Sequence, residues 1–228
     1  MLNTLKELCA LSGVSSWEDE TRTFIRAQAE PYADSIRTDA MGNLIVFKKG
    51  RKATGNRLLL SAHMDEVGLM ITRVEDDGTL RFDSVGGIDR RVLMGKRVYV
   101  GSHRIPAVIG SKPIHLTTKE ERRSVPKMTE LYLDMGAENR EAAEKLVELG
   151  DVAVFDPECV EFGSGLLKAK AIDDRVGCAV MLELLKEELP MDCTFAFSTG
   201  RGGHPGCLCL CLLRTSRDRA GSGGHYGL

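Results

Sequence analysis

The chain has 228 residues, 43% hydrophobic and 28% charged, enough for one large or two modest folded domains with a buried core. With 31 Lys and Arg against 33 Asp and Glu, a formal net charge of −2 argues against an electrostatic nucleic-acid binder. No apolar run approaches the ~18 residues of a membrane span, and Met1-Leu2-Asn3-Thr4-Leu5-Lys6-Glu7 is not a secretory leader, so a cytoplasmic protein without membrane or nucleic-acid partners is expected.

In chain order, Leu2, Leu5, Leu8 and Leu11 recur at helical spacing until Gly13. Ser15 then stands three residues before Glu18, a capping-box spacing, and Trp17, Phe24 and Ile25 mark the apolar side of a second helix reaching Pro31. Glu18-Asp19-Glu20 reads as its first-turn acid cluster. Residues 35–38 and 44–47 read as strands joined at Gly42-Asn43, and Leu58-Leu59-Leu60-Ser61-Ala62 as a strand buried on both faces. From residue 68 to 162 the texture becomes short alternating runs (68–74, 79–82, 97–100, 107–109) separated by turns such as Asp76-Asp77-Gly78 and Gly86-Gly87. That pattern predicts a compact β module, in which His103 and His115 are surface residues and Glu120-Glu121-Arg122-Arg123 is a solvated charge run. A helix is predicted over 139–149 and a strand over 152–155. Ala169-Lys170-Ala171-Ile172 is strand-like, and Asp173 or Asp174 caps a helix to Leu189, stopped by Pro190, whose buried side carries Val176, Val180, Leu184, Met181 and Leu185. Residues 193–198 form a last strand. The α/β domain is thus built from both ends, 1–67 with 167–199, around a β-rich insertion at 68–166. Cys9, Cys159, Cys178 and Cys193 lie scattered in apolar surroundings with no Cys-x-x-Cys spacing, as reduced thiols acting as small hydrophobes do.

Two strings carry candidate chemistry. In Ser61-Ala62-His63-Met64-Asp65-Glu66-Val67-Gly68, residues two apart in extended chain point to one side, so His63 and Asp65 are placed to act together. They read either as a metal-binding imidazole with the carboxylate that orients it, or as a strand-end histidine paired for structure. Asp173-Asp174 opens a helix after an apolar stretch, where α/β folds place ligand sites. One carboxylate there could bridge two divalent cations, or the pair could be an N-cap and a first-turn acid.

Taken together, these strings and Lys170-Ala171-Ile172-Asp173-Asp174-Arg175-Val176-Gly177 resemble the leading motifs of the dinuclear metallo-aminopeptidases. That family comprises glutamyl and leucyl aminopeptidases, including the tetrahedral (TET) peptidases, with some members labelled endoglucanases. Ile109-Gly110-Ser111-Lys112-Pro113-Ile114-His115-Leu116 and Leu133-Asp134-Met135-Gly136-Ala137 are also similar to that family, and the similarity covers residues 1–199. The resemblance implies a phosphorylase/hydrolase-like α/β metallopeptidase domain, incomplete here, with an inserted β-rich dimerisation domain. It implies that His63 binds one metal, that Asp173 bridges two, and that Asp65 is the catalytic acid supporting His63. The cofactors it implies are two divalent ions, zinc or cobalt, and the partners are short peptide substrates and further copies of the chain in a homodimer or larger homo-oligomer.

The resemblance stops at residue 199. Residues 200–228 hold eight of the 24 glycines, three of the seven cysteines and four arginines with one acid, Asp218, a net of +3 against −5 for the rest. The family's next strand is followed by Glu-Glu, the general base and a metal ligand; here Gly200-Arg201-Gly202-Gly203-His204-Pro205 follows. One account is a shifted reading frame: Arg-Gly-Gly encoded CGA-GGA-GGN reads GAG-GAG one base later, which the encoding DNA decides. The other is a soft-metal or thiol site in His204, Cys207, Cys209 and Cys211. On the first account the tail makes no specific contact, the edge of the last strand stays exposed, and the chain is an inactive, truncated aminopeptidase. A non-catalytic assembly protein is the alternative.

Overall fold

The structure, a computed structural model, describes residues 1–52, 56–200 and 209–214. Its elements are α1 (Leu2–Ala10), α2 (Asp19–Ala29), β1 (Ser35–Thr38), β2 (Leu44–Lys48), β3 (Asn56–His63), β4 (Gly68–Val74), β5 (Leu80–Val85), β6 (Arg97–Val100), β7 (Ile105–Ser111), β8 (Leu131–Asp134), α3 (Arg140–Glu144), β9 (Val152–Phe155), β10 (Val160–Phe162), β11 (Leu166–Lys168), α4 (Ile172–Lys186), β12 (Asp192–Ser198) and β13 (Cys209–Arg214). Among the described residues no helix is long and apolar enough to cross a membrane.

Five strands form a mixed sheet in the order β1-β2-β12-β3-β13. Only β3 and β12 run parallel, with Ser198 opposite His63; the other pairs are antiparallel. Between β3 and β12 the chain makes a closed six-stranded barrel, β4-β5-β8-β7-β6-β9, and the β10–β11 hairpin. Period-2 alternation explains the sheet's buried side: on β12, Cys193, Phe195 and Phe197 are buried and the residues between them are not. They pack with Leu5, Leu8 and Cys9 of α1, Ile25 and Ala29 of α2, and Cys178, Met181, Leu182 and Leu185 of α4. The barrel has its own interior, with Leu69, Ile71, Leu80, Phe82, Val98, Ile109 and Leu133 buried together.

Several expectations are corrected. Ser15 does not cap α2. The helix starts at Asp19 with no side-chain cap bond, and Glu18, read as a first-turn acid, is the buried residue before it, accepting from the Ser16 amide at 2.8 Å. The helix expected over 139–149 is the single turn of α3, capped by Asn139. It stops because the Glu148 amide turns to the Asp151 carboxylate at 2.9 Å. Residues 169–171 are loop rather than strand, with Ala171 left-handed at φ 54. On α4 the Met181–Leu185 side is buried, whereas Val176 and Leu184 are exposed, and the helix ends at Lys186. β3 buries Leu60 and Ala62 on one face only. The strand ending near Thr199 is not an edge, since β12 lies between β2 and β3, and residues 209–214 of the tail pair antiparallel with β3, Cys209 opposite Ser61. A run of alternating Cys and Leu without Gly or Pro suits the open ladder that β3 would otherwise present. Residues 201–208 and 215–228 of the tail, His204 and Cys207 among them, lie outside the described residues.

Candidate functional site

The two parallel strands bring their carboxyl ends to one place, the Met64 amide donating to the Ser198 carbonyl at 2.9 Å. Such ends are where open α/β sheets bind ligands, because the loops that follow diverge there. His63 closes β3. Its Nδ1 lies 3.0 Å from Asp65 Oδ1 and its Nε2 lies 3.4 Å from Asp173 Oδ1. The two-residue spacing read from sequence therefore places His63 beside Asp65, and the start of α4 brings Asp173 to the other ring nitrogen. Asp173 is otherwise open, its side chain 79% exposed. Among the described residues, no group of three or more His, Cys, Asp or Glu is arranged to hold a metal ion.

Asp65 is buried and made rigid by a second partner, the Ser15 hydroxyl, which donates to Oδ2. The Val14–Glu66 bridge, with the Ser15 amide on the Glu66 carbonyl at 3.3 Å, is what delivers Ser15 there. Burial opposes ionisation of Asp65, but the hydrogen bonds from His63 and Ser15 outweigh it and hold the carboxyl below its ordinary range. The same bond, working against burial, raises the His63 imidazole above its usual value. Gly200, the first residue after Thr199, packs so closely on Asp65 that a Cβ there would run into its carboxylate.

Asp174 differs from its neighbour. It is buried, with Oδ1 accepting from the Gly177 amide at 3.1 Å and Oδ2 unpartnered among the described residues. Burial raises its pKa, while the Gly177 amide and the His63 imidazole pull it back. Cys178, one turn on, donates its thiol to the His63 carbonyl at 3.3 Å, and burial pushes that thiol far up.

Beneath these groups lies a charged cluster the sequence reading passed over. Lys170 Nζ donates to Glu66 Oε1 and to the Leu11 carbonyl, both at 2.6 Å, and the Gly13 amide reaches the same Oε1 at 3.1 Å. Arg175 is fully buried; NH1 donates to the Leu8 carbonyl at 2.5 Å, and NH2, too far for a hydrogen bond, stands 3.7 Å from Glu66 Oε1 as an ion pair. Burial lowers the Lys170 pKa and Glu66 draws it back up. Glu66, Lys170 and Arg175, charged residues within the two motif strings, were the available signal. Only the fold shows that they converge. His103 lies on an exposed turn and His115 in an exposed single-turn 3-10 helix, Ile114–Leu116, of the barrel segment.

Beside Val67 and residues 168–171 a cleft of about 570 Å³ opens between the barrel and the β10–β11 segment, lined by Ile88, Val92 and Phe155 among charged side chains.

Comparison with known proteins gives the family. Residues 42–200 match the family described as M42 glutamyl aminopeptidase. The glutamyl aminopeptidase of Lactococcus lactis is 30% identical over 201 residues, covering 84% of this chain and 57% of that protein. Among solved structures, the aminopeptidase APDkam598 of the archaeon Desulfurococcus kamchatkensis is 35% identical with a TM-score of 0.79, over 86% of this chain and 55% of that one. The TET1 peptidase of Pyrococcus horikoshii, described as assembling into a tetrahedron or a large octahedral shell, is 36% identical with a TM-score of 0.76, over 87% and 60%. The chain spans about half the length of the curated relatives it matches.

Proposed function

The chain belongs to the M42 glutamyl aminopeptidase family, and on that premise we propose that His63 and Asp173 are ligands of a divalent-metal site that serves hydrolysis of the N-terminal residue of short peptides. The observation that carries the reading is the 3.4 Å between His63 Nε2 and Asp173 Oδ1, with Asp65 on the opposite ring nitrogen. Ligands held about 2.0–2.1 Å from a tetrahedral zinc ion lie about 3.4 Å from one another, so the two donors fit in type and spacing. Cobalt, with similar donor preferences, fits equally. Asp173 is the bridging candidate, because its carboxylate is open and, among the described residues, only His63 pairs with it.

A divalent metal, when bound, polarises a carbonyl group and acidifies water. The chain's own residues prepare for that. With Asp65 accepting at Nδ1, the imidazole carries its proton there and presents the Nε2 lone pair outward. Ser15 fixes the second oxygen of Asp65, so the carboxylate that orients the ring is itself held. The apolar wall of the adjoining cleft, Val67, Ile88, Val92 and Phe155, offers a surface for a substrate side chain.

The proposal extends to what this sequence does by itself. The two donors found among the described residues are one fewer than open zinc sites use, and residues 200–205 contain no glutamate to act as a base. Weak metal binding and no turnover are therefore expected of this chain. A non-catalytic assembly role is the second reading, favoured by Ile114, Leu116 and Val125, apolar residues exposed on the segment between β7 and β8. On it the barrel is the module that joins copies of the chain.

Calorimetric titration with Co²⁺ and Zn²⁺ tests the site: binding is expected in the full chain and lost in H63A and D173N. Equal binding by all three would end the ligand assignment. Release of p-nitroaniline from leucyl or glutamyl p-nitroanilide, absent from the D173N variant, would overturn the expectation of inactivity.

A further inference from the structure

We propose that the buried Glu66–Lys170 ion pair, backed by Arg175, is the positioning device that sets His63 and Asp173 against each other. The inference rests on the metal-ligand reading above but concerns residues that reading leaves without a role. Glu66 follows His63 by three residues and Lys170 precedes Asp173 by three, so the pair ties the loop after β3 to the loop before α4 just behind the two donors. Glu66 Oε1 is the shared point, taking Lys170 Nζ at 2.6 Å, the Gly13 amide at 3.1 Å and, as an ion pair at 3.7 Å, Arg175 NH2. Lys170 and Arg175 also grip the Leu11 and Leu8 carbonyls. The segment carrying Ser15 to Asp65 is thus held by the same cluster.

Burial argues that the cluster is there for geometry more than for stability. The side chains of Glu66, Lys170 and Arg175 are 3%, 7% and 0% exposed. Removing such charges from water costs more than their mutual attraction commonly returns, and apolar residues of the same volume would often serve stability as well. Charged groups with several fixed partners, by contrast, admit one arrangement of the segments they join. Among the described residues Asp173 has no ion-pair partner but His63. A carboxylate so open needs its backbone placed from behind.

The test compares the full chain with K170M, K170R and H63A, each checked for folding by far-ultraviolet circular dichroism. The first readout needs no metal: the ring signals of His63 in ¹⁵N-histidine-labelled protein, assigned by their loss in H63A. The second is Co²⁺ affinity from its visible absorption. In folded K170M the His63 signals are expected to move, and Co²⁺ binding to weaken by about tenfold to a hundredfold, the usual effect of losing an outer-shell partner. K170R, which keeps the charge, should return both toward the parent values. A folded K170M with unchanged His63 signals and Co²⁺ affinity overturns the proposal, since a merely structural lysine would move neither. If K170M does not fold, the double variant E66Q/K170M removes both charges of the pair and is read the same way. If the parent shows no Co²⁺ binding that H63A abolishes, the metal-ligand reading fails while the His63 signals still decide whether the pair positions the ring.

Discussion

Replacing Gly13 by alanine should destabilise the fold although it adds a single methyl group. A Cβ built on Gly13 lies 2.5 Å from Arg175 NH2 and 2.7 Å from Thr21 Oγ1. Neither neighbour has room to retreat. The guanidinium is fully buried and bonded to the Leu8 carbonyl, and the Thr21 hydroxyl donates to the Ser12 carbonyl at 3.1 Å. Overpacking of this kind costs about 1–3 kcal/mol, against which alanine returns about 0.4–1 kcal/mol by restricting the unfolded chain. The net is about 1–2 kcal/mol, a fall of roughly 2–8 °C in Tm for a chain of this size. Gly87 provides the control, because its added Cβ meets nothing within 4 Å and its φ is not in the left-handed region. G87A should match or slightly exceed the parent. Thermal and urea unfolding of both variants, read at constant m, makes the comparison. If G13A proves as stable as G87A, the close approach of the Ser12–Val14 segment to Arg175 is wrong, and with it the cluster on which the positioning inference stands.

Truncating Phe195, fully buried at the centre of β12, should cost about 3–5 kcal/mol in urea unfolding; a loss below ~1 kcal/mol would mean the sheet does not pack there. Asp39 holds the β1–β2 turn by accepting from the Met41 and Asn43 amides and from the Asn43 side chain, and that side-chain bond above all keeps its pKa below 3.8. Because the folded pKa is the lower one, the stability it adds is complete above about pH 4 and is lost as pH falls through the folded value. The D39A variant should accordingly trail the parent by roughly 0.5–1 kcal/mol at pH 7, with the gap narrowing as pH falls below about 4, whereas a gap that stays constant with pH would refute the assignment. Among Cys9, Cys159, Cys178 and Cys193, alkylation by iodoacetamide at pH 8 followed by peptide mapping should find Cys159 modified first. Cys9 is buried with its thiol pushed up to about 11, Cys178 and Cys193 are buried with raised values, and Cys159 alone of the four is half-buried.

Where the local signal and the fold agree, the reason is periodicity. Residues 35–38, 68–74, 97–100 and 152–155 are strands with the ends their alternation and flanking turns predict. The pairing of His63 with Asp65 was legible for the same reason, as two positions of an extended chain share a side. Amphipathic patterns say that a face will be buried without saying by what. On α4, Val176–Val180–Leu184 and Met181–Leu185 are equally apolar in sequence, and only packing against α1 and β3 chose the second. Ser15 is the sharper case. Its spacing to Glu18 satisfies a local capping rule, yet the hydroxyl goes to Asp65, fifty residues on, because the Val14–Glu66 bridge carries it there. Glu66, Lys170 and Arg175 were visible as charged letters in the two motif strings, and no local rule relates them. Motifs and strand identities follow from interactions between residues a few positions apart, which the sequence alone contains. The convergence of two distant motifs on one buried carboxylate oxygen depends on long-range strand order and helix docking, and the tertiary structure decided it.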